Sequence, residues 1–112
     1  MREYKDYLID VIDAINRIEK FVGDSQFSEF EKDDKTIFAV IRALEIMGEA
    51  AKKIPAPVKN KYKQIPWQKI AGMRDKLIHE YFGVNARVLW QTVKEDIPGI
   101  KPLMEQLVKD LG

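Results

Sequence analysis

Apolar residues recur at three- and four-residue steps through most of the chain. Between residues 3 and 22, Tyr4, Leu8, Val11, Ile12, Ile15, Ile18 and Val22 alternate with Asp6, Asp10, Asp13 and Arg17. That is the pattern of a helix with one buried stripe and one wet face. Gly23 is suited to end it. In the connector, Ser25 or Ser28 is placed to cap a short helical turn carrying Phe27 and Phe30. The next helix starts after Asp33-Asp34, two capping residues at the positive end of the helix dipole. Ile37, Val40, Ile41, Leu44, Met47, Gly48 and Ala51 form its buried stripe. A mid-helix glycine costs about 1 kcal/mol relative to alanine, so Gly48 implies close approach of another helix. Arg42, Glu45 and Glu49 run beside the stripe as a polar edge.

Pro55 and Pro57 are expected to end that helix and stiffen the link. A short turn around 58–62 follows, and Pro66 is placed to be the first residue of another helix. Trp67, Ile70, Met73, Leu77 and Tyr81 share one face of it, and Gly83 marks its end. Residues 85–111 read as helical with a fault in the middle. Asp96-Ile97-Pro98 looks like a new helix start, and Pro98 with Pro102 predicts a kink or restart. No segment alternates as a strand does, and nothing repeats. The expected fold is a single all-α domain over 1–112, an up-and-down bundle of about four main helices with short connecting helices.

Composition narrows the chemistry. The chain has no cysteine and one histidine, so thiolate metal sites, disulfides and His-rich sites within one chain are excluded. No apolar run approaches the ~20 residues of a membrane span and the N-terminus is charged, so a cytoplasmic protein without metal is expected. The net charge of +1 conceals a division. Residues 1–34 carry a balance of −5, and residues 52–76 one of +7. A basic segment of this kind suits an anionic polymer, although a solvated lysine-rich loop has the same composition.

That segment leads into Arg74-Asp75-Lys76-Leu77-Ile78-His79-Glu80-Tyr81. On a helix, Asp75 and His79 share a face, where the carboxylate can fix the imidazole tautomer and favour its protonated form. Arg74 lies about 140° around the helix from His79, so both can face one groove from its two sides. A guanidinium that clamps phosphoryl oxygens and an imidazole that moves a proton near neutral pH suit RNA cleavage by the substrate's own 2′-hydroxyl. Lys69 and Lys76 are the candidates for holding the RNA. One histidine per chain leaves the leaving group without its acid, which a homodimer with two motifs across one cleft would supply. The same residues also fit a helix end whose polar groups are simply solvated.

The stretch resembles the Arg-x4-His-x-Tyr signature of HepT-like toxins in the HEPN superfamily. The likeness extends to Ile41-Arg42-Ala43-Leu44-Glu45-Ile46-Met47-Gly48-Glu49-Ala50, to Ile65-Pro66-Trp67 with Gly72-Met73-Arg74, to Ile78 through Gly83, and to Asp96-Ile97-Pro98. It covers most of the chain, from about Leu8 to Leu107. Ala43 departs from it, standing where many relatives carry asparagine. The resemblance implies an all-helical homodimer, a metal-independent ribonuclease toxin without cofactor. Its partner would be an MNT-type nucleotidyltransferase antitoxin, the two forming a type VII toxin–antitoxin pair. Arg74 and His79 would be catalytic, Asp75 auxiliary, and Tyr81 the hydroxyl that the antitoxin adenylylates. Two other readings compete: a non-catalytic helical docking partner of the nucleotidyltransferase, and a nucleotide-binding accessory domain.

Overall fold

The computed structural model describes residues 3–80 and 85–111, apart from the side chains at 74 and 76–80, and every regular element among them is helical. The two longest helices, α1 (Tyr4–Val22) and α3 (Asp34–Lys52), lie against each other. α5 (Trp67–Glu80) packs on the other side of α3, and α7 (Ile97–Asp110) returns to pack on α1. Short helices α2 (Phe27–Phe30), α4 (Ala56–Lys61) and α6 (Ala86–Gln91) make the connections, with α2 against α6. The expected all-α bundle of four main helices is what the chain forms.

Most of the stripe residues read from the sequence form the core, while Tyr4, Ile12 and Ile37 pack half-buried against it. Leu8, Val11, Ile15 and Ile18 of α1 have no exposed surface, and Val40, Leu44 and Met47 of α3 have almost none. Each such side chain contributes about 1.5–3 kcal/mol through burial. Ile70 of α5 and Ile97, Met104 and Leu107 of α7 close the same cluster. Gly48, Ala50 and Ala51 are buried together near the C-terminal end of α3.

Local polar groups finish α1 and α3. Gly23 ends α1 at φ 52°, a backbone conformation that favours glycine, and its N–H donates to the Glu19 carbonyl at 2.8 Å. The Ser25 hydroxyl donates to the Val22 carbonyl. Ser25 therefore closes α1 instead of opening α2, because Val22 offers one of the carbonyls that a helix end leaves unpaired. The start of α2 is satisfied differently, by the Glu29 carboxylate accepting from the Gln26 N–H at 2.9 Å. Asp33 caps α3 as expected, accepting from the Thr36 N–H at 3.1 Å and its hydroxyl at 2.6 Å. The Thr36 hydroxyl first, then its N–H, hold the Asp33 carboxyl below its ordinary value of 3.8.

The prolines act one element later than expected. α3 stops at Lys52, Pro55 occupies the N-cap of α4, and Pro57 lies in its first turn. Pro66 stands just before α5, its carbonyl accepting from the Ile70 N–H at 3.0 Å. Asp96-Ile97-Pro98 opens α7 as expected, with Pro98 in its first turn, but the chain stays helical across the junction. Asp96 keeps helical dihedrals, and α6 runs into α7 through a π-helical turn, Thr92–Asp96, where the Ile97 N–H reaches back to the Thr92 carbonyl. Pro98 has no N–H to give and its ring crowds the carbonyl four residues earlier, so a widened turn absorbs the misfit just upstream. Pro102 sits inside α7, and both prolines are exposed, so the carbonyls that they leave unpaired can face water.

Candidate active site

The position of α5 is set at its start. Ile65 and Trp67 are buried, and the Trp67 indole N–H donates to the Tyr62 carbonyl at 3.1 Å. The Tyr62 hydroxyl donates in turn to the Asp110 carboxylate at 3.4 Å, which ties the link before α5 to the end of α7. Ile70 and Met73 continue the buried face as expected. The positions of Leu77 and Tyr81 on that face, and the ending at Gly83, lie outside what is described.

The backbone of α5 is helical through Glu80, so Arg74, Asp75, Lys76 and His79 occupy its C-terminal half. The side chains of Arg74, Lys76 and His79, and Tyr81 as a whole, lie outside the described residues. Asp75 is exposed, with its carboxylate 3.7 Å from Lys52 Nζ at the end of α3. Nothing in the local pattern pointed to this partner, which belongs to another helix. Lys69, a candidate for RNA binding, donates to the Asp96 carboxylate at 2.8 Å. The two line a shallow depression of about 280 Å³ between α5 and the start of α7. To hold a phosphate, Lys69 would have to share or give up that carboxylate.

On the opposite side of α3, a groove of about 410 Å³ runs between α1 and α3, bordered by Asp13, Arg17, Phe21 and Arg42. Ala43 is buried in its wall. Arg42 reaches Glu45 at 3.5 Å, so that part of the polar edge forms an exposed pair within its own helix. Among the described residues, no three potential metal-ligating side chains converge, and no helix is long and apolar enough to cross a membrane.

A further cluster, not anticipated from the sequence, joins α2, α6 and the π-helical turn. Phe27 and Phe30 pack on Trp90, with ring centroids 5.9 and 5.1 Å away. The Arg87 guanidinium lies 4.2 Å from the Phe27 centroid, and Lys94 Nζ lies 4.7 Å from the Trp90 centroid. Half of the signal was local, since Arg87, Trp90 and Lys94 follow at helical steps of three and four. The contribution of Phe27 comes from far upstream in the chain.

Comparison with known proteins bears on all of the chain but its ends. The profile of a family described as "Ribonuclease HepT-like" matches residues 11–107, a span that includes residues 74–81. "Probable ribonuclease HepT" of Thermococcus cleftensis is 57% identical over 108 residues, covering 96% of this chain and 98% of its own. "Putative RNase MJ0125" of Methanocaldococcus jannaschii is 46% identical over 110 residues, covering 98% and 95%. "Putative RNase TTE0752" of Caldanaerobacter subterraneus subsp. tengcongensis is 38% identical over 109 residues, covering 97% of each chain. No solved structure gives a significant match.

Proposed function

Since the chain belongs to the ribonuclease HepT-like family, we propose that it is a metal-independent endoribonuclease and the toxin of a type VII toxin–antitoxin pair. The observation that carries this reading is the match across residues 11–107, with the Arg74–Tyr81 stretch inside it. α5 supports it by keeping Arg74 and His79 on one helix, five residues apart.

The reaction needs three services. A base takes the proton from the RNA 2′-hydroxyl as that oxygen bonds to the adjacent phosphorus. A cation holds the charge that builds on the phosphoryl oxygens, and an acid protonates the 5′-oxygen as its bond to phosphorus breaks. His79 is the proton-transfer group and Arg74 the clamp. The second His79, from another copy in a homodimer, completes the acid–base pair. Asp75 has a subsidiary part. With Lys52 at 3.7 Å it joins α5 to α3, and it lies one turn before His79.

Tyr81 is the off switch in this reading. Transfer of AMP to its hydroxyl by an MNT-type nucleotidyltransferase places bulk and negative charge beside the cleft and repels RNA. Expression of the protein alone should arrest growth, and His79→Ala or Arg74→Ala should relieve the arrest. The purified protein should cut RNA in the presence of a chelator. Incubation with the antitoxin and ATP should add AMP by intact mass, and Tyr81→Phe should prevent it. A stable complex with the nucleotidyltransferase, combined with no cleavage by unmodified protein, would overturn the ribonuclease reading in favour of a docking role.

A further inference from the structure

We infer that the surface built by α2, α6 and the π-helical turn is a second RNA-binding subsite, which holds single-stranded RNA flanking the position of cleavage. The inference rests on the ribonuclease reading above, but it concerns residues that have no part in the chemistry.

The first argument is how the cations are held. Among the described residues, Arg42, Lys52, Lys69 and Lys101 are each paired with a carboxylate. Arg87 and Lys94 are held by ring faces instead, as is Lys61 at a longer 5.8 Å from the Tyr62 ring, but only Arg87 and Lys94 share one aromatic cluster. A carboxylate cancels the charge and occupies N–H donors. A ring orders the side chain while leaving the charge, and the donors at the guanidinium edge, open to another anion. Both side chains belong to exposed residues, while Phe27 and Trp90 are half-buried beneath them. Cation–π pairs occur roughly once per 70–80 residues, yet here two converge on one three-ring cluster.

The second argument is the match to a ligand. Guanidinium planes and aromatic rings alternating with cations are what a single strand uses, with bases stacking and phosphates pairing. A duplex keeps its bases stacked on one another and could use only the charges. Of the acidic residues on these elements, Glu29 accepts from the Gln26 N–H, and Glu95 and Asp96 line the depression around Lys69.

The third argument is reach. α5 ends at Glu80 and α6 begins at Ala86. Six residues span at most about 20 Å, so the subsite starts within a few nucleotides of the motif helix.

The test measures anisotropy of a labelled single-stranded 2′-O-methyl RNA of about a dozen nucleotides, which lacks the attacking hydroxyl. Wild type is compared with Arg87→Gln/Lys94→Gln and with a charge-matched control, Lys20→Gln/Lys109→Gln. Affinity should fall about tenfold in the first variant and less than twofold in the control. The slope of log affinity against log salt should drop by about 1.4, since each phosphate contact on a single strand contributes about 0.7. Arg87→Lys should restore the slope without restoring the full affinity, because the stacking plane is gone. Cleavage of a dinucleotide substrate, too short to reach the patch, should be unchanged.

Equal affinity and slope in wild type and the Arg87/Lys94 variant would overturn the subsite and leave the ribonuclease reading standing. Equal losses in the variant and its control would do the same, by reducing the effect to net charge. Wild type that neither binds nor cuts RNA would overturn both. Should the double variant melt earlier, Lys94→Gln alone, with its exposed tip, is read for half of the slope change.

Discussion

α1 and α3 finish their own ends, whereas α5 is tied to other parts of the molecule. Gly23 and Ser25 close α1, Asp33 and Thr36 open α3, and every one of those bonds lies within a few residues. α5 instead depends on Tyr62 for its first indole, on Lys52 of α3 for Asp75, and on Asp96 of the π-helical turn for Lys69. Burial divides the same way. α1 and α3 put long stripes into the core, while the buried face of α5 shares its helix with the basic motif. The comparison teaches that α1 and α3 supply stability and α5 is positioned by them, so chemistry and folding should respond to different substitutions.

The largest effect should fall on activity alone. His79→Ala should lower RNA cleavage by about 10²–10⁴, the usual contribution of a general acid–base group, with a melting curve close to that of wild type. A melting loss as large as that of a core variant would break the division. Leu44→Ala should do the reverse. It should cost about 2–5 kcal/mol in denaturant unfolding, with cleavage per folded molecule preserved. Loss of cleavage under conditions where that variant is still folded would show that α3 does more than support.

Smaller effects sharpen the contrast. A double-mutant cycle on Lys69 and Asp96 should give a coupling of about 0.2–1 kcal/mol that weakens with salt, as for other exposed pairs. The smallest effects are pH-dependent and lie on the scaffold side. Thr36 lowers the Asp33 carboxyl, so this cap contributes above pH 3.8 and its contribution is lost as pH falls through the folded value. Asp33→Ala should therefore lower the melting temperature at neutral pH and flatten its acid limb. The hydrogen bond from Lys101 to Glu19 raises the Lys101 ammonium above its ordinary 10.5. Its contribution is complete below that value and fades as pH rises through the folded one, so Glu19→Gln should lower the melting temperature slightly at neutral pH and flatten its alkaline limb.

The scaffold was legible because its signals are local. Helical periodicity gave the stripes of α1 and α3, and the Asp33 cap could be read because its partner, Thr36, is three residues away. The motif was legible as a spacing on α5, which its helical backbone through Glu80 matches. What escaped the sequence was tertiary or a matter of competition. Ser25 had two helix ends within reach, and the choice of the Val22 carbonyl depends on how the connector folds. Pro98 announced a fault without saying whether the helix would break or widen. The pairing of Lys52 with Asp75 and the stacking of Arg87 on Phe27 join residues that only the packed bundle brings together.

The π-helical turn also fixes the length of the chain. A residue added to one turn delays the helix by about 100° of rotation, which acts as a phase shift between two binding faces. Leu89 before it and Val93 within it turn inward; after it, Ile97, Ile100, Met104 and Leu107 turn inward along α1. Removing any one residue between Thr92 and Asp96 would restore a regular helix and swing the whole second face off its partner. Lys94 and Glu95 in this stretch are exposed and should tolerate changes of composition, yet in residue count the stretch behaves like a reading frame.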